Sequence, residues 1–491
     1  MSHLLLRRTR IRSRVGAAGL AMVAAVLGLL ASAGVFAGGT AVAATTGGNS
    51  NEGEVQVTTA VNASPSLKTS EMYPFGVPTE NPDFHVPSPP GSGSLVPTID
   101  TKTTTRLYGT NPFQEAVAIT QHQWPAALPE NAPNEKGNVP DRPWGLTLLT
   151  PNEPLTAITA TPLVHFPDDA PVLYVTSTGI PKITENEIKR LGPTGIAGYN
   201  NVDAFLVGEA ANPGVEKQLE ELGLKFATVT APTVPALANT VDQLYGSIEN
   251  PDNGVPEMEN GAENVMVGSM QSYKFLLPAT HWVSHMASGL LWVEQNSVPA
   301  PTIEALKRRN GHARIYLFGG PDQISNAVAN ELSKYGSVIR IDSYNIVGFN
   351  TEPADTPART ALAFSKMWEP SGMVGWKITG PGHGFTLVNE NDWQGAVASS
   401  PLSHMGFHAP LLLTEKTGKL PSALEGYFKS VAPTFLNTPS DGPYNMTYMI
   451  GGWNELTWPL QTHIDSISEM GNRRVWATQT GSTYGDSQPE G

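Results

Sequence analysis

One stretch of the sequence, residues 313–341, follows a strand–turn–helix–strand pattern. Residues 315–318 form an unbroken apolar run, which is typical of a strand buried on both faces of a sheet. The Gly319-Gly320 pair predicts a tight turn at which strand and helix approach closely, and a helix is expected to begin at Pro321. Residues 338–341 then begin a second strand. The stretch therefore predicts one βαβ unit with a right-handed crossover.

The same order of elements occurs in three successive segments, residues 106–231, 232–341 and 342–474. Each segment places a helix first and then alternates strands with helices. A period of about 110 to 130 residues is too long for a solenoid repeat and corresponds to a small domain. We therefore expect three tandem α/β units of one topology, each a small Rossmann-like layer structure.

Short motifs recur at corresponding places in the three segments. They are an Arg-x-x-Gly motif (Arg106, Gly109), a Thr-Ala helix (Thr360, Ala361, Ala363), two Pro-Leu helices (Pro162-Leu163, Pro401-Leu402), two apolar strands after a proline (Pro171-Val172-Leu173, Pro410-Leu411-Leu412-Leu413) and two Gly-Gly turns (Gly319-Gly320, Gly451-Gly452). In this order, the motifs resemble the type 2 cell-wall-binding repeats of Gram-positive surface proteins, present here in three copies.

The resemblance implies Toprim-like α/β units packed around a pseudo-threefold axis, which bind an anionic wall polymer non-covalently. The sequence also departs from the family pattern. Pro112-Phe113 and Pro357-Ala358 stand where the family has Arg-Tyr, and the second unit has no recognisable Arg-x-x-Gly motif. The resemblance therefore covers the order of elements more completely than the individual motifs.

The amino-terminal residues predict export. Five arginines lie within residues 7–14, residues 15–37 are apolar and small, and Ala41-Val42-Ala43 matches an A-x-A cleavage pattern. We expect a cleaved signal peptide over residues 1–43, with an uncleaved anchor as the alternative because the apolar stretch could span a bilayer. Residues 44–105, rich in Pro, Ser and Thr, predict a linker with few core contacts, and residues 475–491 predict a disordered tail.

Charge and cysteine content narrow the range of partners. The net charge is −14, and removal of the signal peptide with its five arginines lowers it to −19. This charge argues against nucleic acid and against stable binding to an anionic membrane. The absence of cysteine excludes disulfides and thiolate metal sites, and no cofactor is expected. An anionic polymer, such as a teichoic-acid-like glycopolymer, would need clustered basic residues or a bridging divalent cation.

The Gly-Gly turns are the candidate ligand-binding sites. Backbone N–H groups at the start of the following helix could hold a phosphate, with an arginine nearby. Ordinary strand-to-helix turn chemistry is the favoured alternative, because no Lys or Ser/Thr follows as a P-loop requires. The candidate residues are Arg106, Gly319, Gly320, Arg340, Gly451 and Gly452.

Three histidines, His165, His285 and His404, occupy similar places in the three units. Their helices are rich in small residues, so we expect them to approach closely and to bring the imidazoles together at a junction of the units. Duplication of one buried polar position is the alternative. His281 and His408 extend two of these residues into i, i+4 pairs, a spacing that can bind metal. Structural histidines are favoured, because no third ligand is evident, and no metal site is expected.

Two classes of function follow from these features. The first is non-catalytic attachment of an exported protein to the cell wall or cell surface through a wall polymer. The alternatives are a wall amidase-type hydrolase and an extracellular carbohydrate- or solute-binding protein, with Trp376, Trp393 and Trp453 as stacking platforms. No catalytic residue is expected, because the sequence has no Gly-x-Ser-x-Gly motif and no thiol, and the repeats leave only the Pro-rich linker unassigned.

Overall fold

The structure, a computed structural model, describes residues 96, 98–126, 142–165, 168–249, 263–341, 354–404 and 407–472. The predicted signal peptide, most of the predicted linker and the predicted tail lie outside these residues. Throughout the described ranges, short strands alternate with helices.

The first part of the chain contains two strands and a helix ahead of the first predicted sheet. Its elements are β1 (Ile99–Asp100), β2 (Thr104–Leu107), α1 (Pro112–Gln123), β3 (Thr147–Leu149), α2 (Pro154–Ala160), β4 (Val172–Tyr174), α3 (Lys182–Leu191), β5 (Ala204–Val207), α4 (Pro213–Glu221) and β6 (Phe226–Val229). Strands β3, β4 and β5 are buried along their whole length. Such burial is typical of a parallel sheet that is covered on both faces.

The middle part repeats this alternation. Its elements are α5 (Val234–Glu249), β7 (Asn264–Ser269), α6 (Leu277–Val283), β8 (Gly289–Val293), α7 (Ala300–Lys307), β9 (Ala313–Phe318), α8 (Asn326–Leu332) and β10 (Gly336–Ile341). Helix α8 begins at Asn326, so the prediction of a helix start at Pro321 is wrong. The reason is the cap: Ser325 is extended, and its Oγ accepts a hydrogen bond from the Val328 N–H at 3.3 Å.

The last part has longer loops between its elements. They are α9 (Pro357–Lys366), β11 (Gly384–Asn389), α10 (Trp393–Ala398), β12 (Leu411–Thr414), α11 (Ser422–Ser430), β13 (Thr434–Phe435), β14 (Met446–Ile450), α12 (Trp458–Ser468) and β15 (Gly471–Asn472). Several helices begin where a capping side chain precedes a proline. Asn111 before Pro112 and Thr356 before Pro357 both accept a hydrogen bond from the first helical turn.

Three sheets share one order of strands. The first is β4-β3-β5-β6, the second is β8-β7-β9-β10, and the third is β12-β11-β14-β2, with β1 antiparallel at its edge. The other pairings in these sheets are parallel. In the first two sheets, the second strand along the chain lies on one side of the first strand, and the third and fourth lie on the other side. In the third sheet, β2 takes the place of the fourth strand. The predicted α/β class is confirmed.

The fourth strand of the third sheet comes from the opposite end of the described chain. Strand β2 pairs with β14, so that Thr104 lies opposite Thr447 and Leu107 opposite Ile450. The prediction of a linker through residue 105 is therefore wrong at its carboxyl end, where Thr104 is fully buried. Arg106, the predicted start of the first unit, belongs to the third sheet. A four-residue strand leaves no usable period in the sequence, and its partner is remote along the chain.

Each helix that follows a fourth strand packs on the next sheet. Helix α1 follows β2 and covers β4, α5 follows β6 and covers β8, and α9 follows β10 and covers β12. The Pro-Leu helices also meet, because α6 packs against the 3₁₀ turns Thr161–Val164 and Ser400–Ser403. Neighbouring sheets are therefore joined in two ways: a helix that follows one sheet packs on the next, and the Pro-Leu helices contact one another.

Candidate functional site

Both Gly-Gly turns are held by an arginine of the neighbouring fourth strand. Arg340 Nη1 donates to the Gly319 carbonyl oxygen at 2.6 Å. Arg106 Nη1 donates to the carbonyl oxygens of Gly451 at 2.6 Å and Gly452 at 3.2 Å. The turns belong to different sheets, so the structure places the six predicted ligand-binding residues in two separate clusters. In each cluster the guanidinium group fastens a turn of the chain itself.

The backbone of these turns explains why glycine occurs there. Gly319 has a φ of 119° and Gly451 a φ of 112°, a region that residues with a Cβ rarely adopt. The Gly320 N–H donates to Gln323 Oε1 at 3.0 Å, so this predicted phosphate donor already has a partner. These contacts favour the strand-to-helix turn over a phosphate site.

A cleft of about 440 Å³ lies at the carboxyl ends of the strands of the third sheet. It opens where β11 and β14 lie side by side, and parallel α/β sheets commonly bind ligands at the carboxyl ends of their strands. The start of α1 closes one wall, so the first and third units both contribute. The lining residues are Gly109, Thr110, Asn111, Pro112, Glu115, Asn389, Asn391, Asp392, Gln394, Thr417, Gly452, Asn454 and Glu455.

Three of these lining residues are acidic. Glu115 is only 7% exposed, and its carboxylate accepts no hydrogen bond from any described residue. Burial raises the pKa of Glu115 well above its usual range, and the neighbouring Asp392 and Glu455 raise it further. Burial also raises the pKa of Asp392 to about 6, although its Oδ1 accepts a hydrogen bond from the Gly395 N–H at 2.9 Å. The cleft therefore brings together three acidic groups with no basic side chain among its described lining residues.

Polar groups without a full charge surround the carboxylates. Among the described lining residues none is basic, and five are Asn or Gln. The Tyr174 hydroxyl donates to the Gln394 carbonyl oxygen at 2.8 Å and fixes one wall. At the rim, Lys274 Nζ donates to Asn391 Oδ1 at 2.5 Å and lies 4.0 Å from Glu390. Lys274 thus contacts the rim of the cleft and none of its three acidic lining residues.

An aromatic cluster, Tyr108, Trp453 and Trp458, adjoins the cleft. Trp453 is 41% exposed and Trp458 is 47% exposed, with ring centroids 5.9 Å apart. The Arg106 guanidinium lies 4.2 Å from the centre of the Trp453 ring. Such a cluster provides a flat apolar surface beside hydrogen-bonding groups. Trp453 is accessible, as expected of a stacking platform.

The two other predicted platforms are placed differently. Trp393 is only 8% exposed. Trp376 packs face to face on His285, with centroids 4.9 Å apart, and its indole nitrogen is buried. Neither ring can offer its face to a ligand, because both are used in packing between helices and loops.

The structure brings the predicted junction histidines into two contacting pairs. The rings of His165 and His404 lie 5.1 Å apart, and those of His285 and His408 lie 4.8 Å apart. His404 Nε2 also lies 2.8 Å from an Asp169 carboxylate oxygen. Burial lowers the pKa of His285 to about 3, and the charges of His408 and His404 lower it further. The His285 ring is therefore neutral at physiological pH.

His281 performs a different role from its i+4 neighbour. It is fully buried, and its Nδ1 lies 2.5 Å from Ser403 Oγ in the third unit. Its Nε2 lies 3.2 Å from the Ala396 carbonyl oxygen. Burial lowers the pKa of His281 to about 4, so this ring is neutral too. No group of three potential ligands is arranged to hold a metal ion within the described residues.

The acidic cleft was not anticipated from the sequence, but one signal for it exists. The capped starts of α1 and α9 align as Asn-Pro-Phe-Gln-Glu-Ala and Thr-Pro-Ala-Arg-Thr-Ala, so Glu115 stands where the third unit has Thr360. The equivalent position of α5 is Leu237. Buried helical positions are normally apolar or neutral. An acidic residue at such a position, where the equivalent residues are Leu and Thr, therefore indicates a functional site.

Comparison with known proteins places the fold among solved structures. No protein-family model matches the chain, and no curated protein sequence matches it significantly. Cwp6 from Clostridium difficile is similar, with a TM-score of 0.55, 15% identity, and coverage of 74% of this chain and 47% of Cwp6. Cwp8 from Clostridium difficile gives a TM-score of 0.51 at 15% identity, covering 75% of this chain and 51% of Cwp8. The chain spans about half the length of each, and at this identity the similarity shows the fold alone.

One further observation concerns membranes. Within the described ranges, none of the helices combines the length and the apolar character that crossing a bilayer requires.

Proposed function

We propose that this chain is an exported, non-catalytic protein that attaches to the cell envelope by binding a wall glycopolymer. The cleft on the third sheet is the binding site. The observation that supports this most directly is a cleft lined by Asn and Gln side chains and carboxylates, with the exposed Trp453 between the lining residues Gly452 and Asn454. Amide and carboxylate groups bind hydroxyls, and an aromatic ring packs on the apolar face of a sugar.

The comparisons support an association with the cell wall. Both structural neighbours are cell wall proteins. The order of motifs that resembles type 2 cell-wall-binding repeats agrees with that association. A location at the cell wall or surface follows from this proposal together with the predicted signal peptide.

The charge of the cleft indicates which part of the polymer it contacts. A net charge of −19 after cleavage and an acidic cleft both repel phosphate and carboxylate groups. A neutral or amine-bearing segment of the glycan fits the cleft better than an anionic one. Bridging by a divalent cation stays an alternative, which a chelator would reveal.

Wall hydrolysis is a second candidate, because a carboxyl group with a raised pKa, such as Asp392, can act as a general acid. Attachment is favoured for two reasons. Amide side chains, which bind hydroxyl groups, line much of the cleft, and the sequence has no recognisable hydrolase motif. We therefore expect no clearing on a zymogram of purified walls, and clearing would establish hydrolysis in its place.

The binding experiment is sedimentation of the purified protein with purified cell walls. We expect the wild-type chain to be retained with and without chelator, and to be lost after the glycopolymer is extracted. A Trp453→Ala variant should bind about tenfold more weakly, because an exposed aromatic anchor is removed. Trp368 is 40% exposed and lies outside the cleft lining, so Trp368→Ala is the matched control. Equal retention by extracted walls would contradict the proposal.

A further inference from the structure

No basic side chain of the described residues forms a hydrogen bond or an ion pair with the acidic interior of the cleft. Glu115 is more than nine-tenths buried, lines the cleft and accepts no hydrogen bond from the described part of the chain. Asp392 and Glu455 line the same cleft. Buried carboxylates normally have a cation or several donors beside them, because removing their charge from water is otherwise unfavourable.

Two basic side chains lie beside the cleft without pairing to its interior. Arg106 is fully buried and donates to the Gly451 and Gly452 carbonyl oxygens and to Gln461 Oε1; its charge interacts with Glu455 but forms no hydrogen bond to it. Lys274 reaches only the rim, at Asn391 and Glu390. A cation supplied by the ligand would meet three carboxylates that form no ion pair with a basic side chain of the described residues.

We propose that this cleft binds a protonated primary amine carried by the wall polymer, with the carboxylates of Glu115, Asp392 and Glu455 as its partners. The inference rests on the proposed function and specifies the chemical group that the cleft recognises. An ammonium group has three N–H donors and one positive charge, which match three converging acceptors. The Asn454 amide, which also lines the cleft, would hydrogen-bond a hydroxyl next to the amine.

The amine-binding feature is particular to one of the three units. The positions equivalent to Glu115 are Leu237 and Thr360, which cannot supply a negative charge. In the first unit, Glu153 has the place of Asp392, but its carboxylate already accepts hydrogen bonds from Thr150 Oγ1 at 2.9 Å and the Glu209 N–H at 3.0 Å. Only the cleft at β11 and β14 therefore combines a buried unpartnered acid with a second and a third acid, within the described residues.

Titration calorimetry of the exported chain at pH 7 tests this inference. The probes are a glucosamine tetramer, its fully N-acetylated counterpart and lysine amide, which separate a sugar amine from an amino-acid amine. We expect at least one amine to bind about tenfold or more tightly than the acetylated tetramer, as a charge-assisted hydrogen bond implies. The affinity for lysine amide, whose ε-amine stays protonated, should fall between pH 7 and pH 5, because Asp392 takes up a proton near pH 6. Equal binding of the tetramers, or no binding of either amine, overturns the inference.

Variants and modified walls complete the test. Glu115→Gln and Asp392→Asn keep side-chain shape, and both should lose at least about tenfold in amine affinity. Glu220→Gln removes one exposed charge away from the cleft and should bind as the wild type does. Walls treated with acetic anhydride, which converts amines to amides, should retain less protein. Equal retention by treated and untreated walls overturns the amine inference alone, whereas loss from untreated walls contradicts the proposed function itself.

Discussion

At the scale of single residues, Glu115 is the clearest mismatch between a side chain and its surroundings, because an ionisable carboxyl group is buried there. It lies on the buried face of α1, without a donor from the described residues, and faces Asp392 and Glu455. A side chain chosen for stability alone would be apolar or neutral there, as Leu237 and Thr360 are. Such conflicts between local preference and environment are typical of functional positions.

Glu115→Gln should therefore raise the stability of the ligand-free protein. The folded-state pKa of Glu115 is raised above its unfolded value, so ionisation opposes folding as pH rises above about 4.5. We expect a gain of about 1–3 kcal/mol in the free energy of unfolding at pH 7.5, and little gain at pH 4.5. Urea unfolding at the two pH values measures this. Glu220→Gln is the control, and a destabilised Glu115→Gln protein at pH 7.5 would contradict the prediction.

The buried histidines have the opposite pH dependence. His285 and His281 have folded-state pKa values lowered to about 3 and about 4, below the unfolded value of about 6.5. Their contribution is fully present above pH 6.5, and it is lost as pH falls, because the unfolded chain then binds more protons. Each can reduce the free energy of unfolding by up to about 1.4 kcal/mol per pH unit.

A His285→Gln variant should show a shallower loss of stability between pH 6.5 and pH 4.5 than the wild type. The neighbouring titratable groups, His408, His404 and Asp169, remain in both proteins, so the difference isolates His285. Melting temperatures across this pH range provide the measurement. His312 is exposed, so His312→Gln should leave the slope unchanged. Identical slopes for wild type and His285→Gln would refute the prediction.

At the scale of elements, β2 is the strand whose position matters most. It completes the third sheet, and its Arg106 fastens the turn after β14 through Gly451 and Gly452. The preceding Thr103 donates from its backbone N–H to Asp465 Oδ1 at 2.8 Å on α12. The end of the predicted linker is therefore part of the third unit.

Two truncations separate the linker from this strand. Deleting residues 45–95 should leave the melting temperature within about 3 °C, because the sequence predicts few core contacts there. Deleting residues 45–107 removes β1 and β2 and leaves β14 unpaired on one side. We expect a fall of at least about 5 °C in a thermal melt followed by circular dichroism. Equal melting of the two truncated proteins would show that β2 does not stabilise the third sheet.

At the scale of the whole described region, polar contacts join each pair of units. Trp292 Nε1 donates to Thr159 Oγ1 at 2.7 Å, between the second and first units. His281 contacts Ser403 between the second and third, and Tyr174 contacts Gln394 between the first and third. The leading helices also cover neighbouring sheets, and the main hydrophobic core runs through all three units, although a second apolar cluster lies within the third.

The three units should therefore unfold together. We expect one transition in scanning calorimetry, with the calorimetric enthalpy close to the van't Hoff enthalpy. Trp292→Phe, which removes the hydrogen bond to Thr159 but keeps a large ring, should lower the melting temperature without splitting the transition. Separate transitions, or a stable isolated fragment of residues 232–341, would show that the units are independent.

The sequence by itself determined the α/β class and the recurring strand–turn–helix pattern. Apolar runs such as residues 315–318, followed by glycine pairs, specify buried strands and tight turns through local sterics and burial. It also indicated that His165, His285 and His404 lie at equivalent places in the three units, because the repeated order of elements aligns these positions. The start of α8 at Asn326 could also have been predicted from the sequence, because Ser325 is a residue type that favours the N-cap position.

Tertiary structure alone decided which strand completes each sheet and where the acidic cleft lies. β2 is four residues long and pairs with a strand near the other end of the described chain, a choice that depends on packing and not on local preference. Glu115, Asp392 and Glu455 are remote along the sequence, and their shared environment exists only once α1 closes on the third sheet. The raised pKa values of Glu115 and Asp392 are consequences of that burial, which no local pattern of residues encodes.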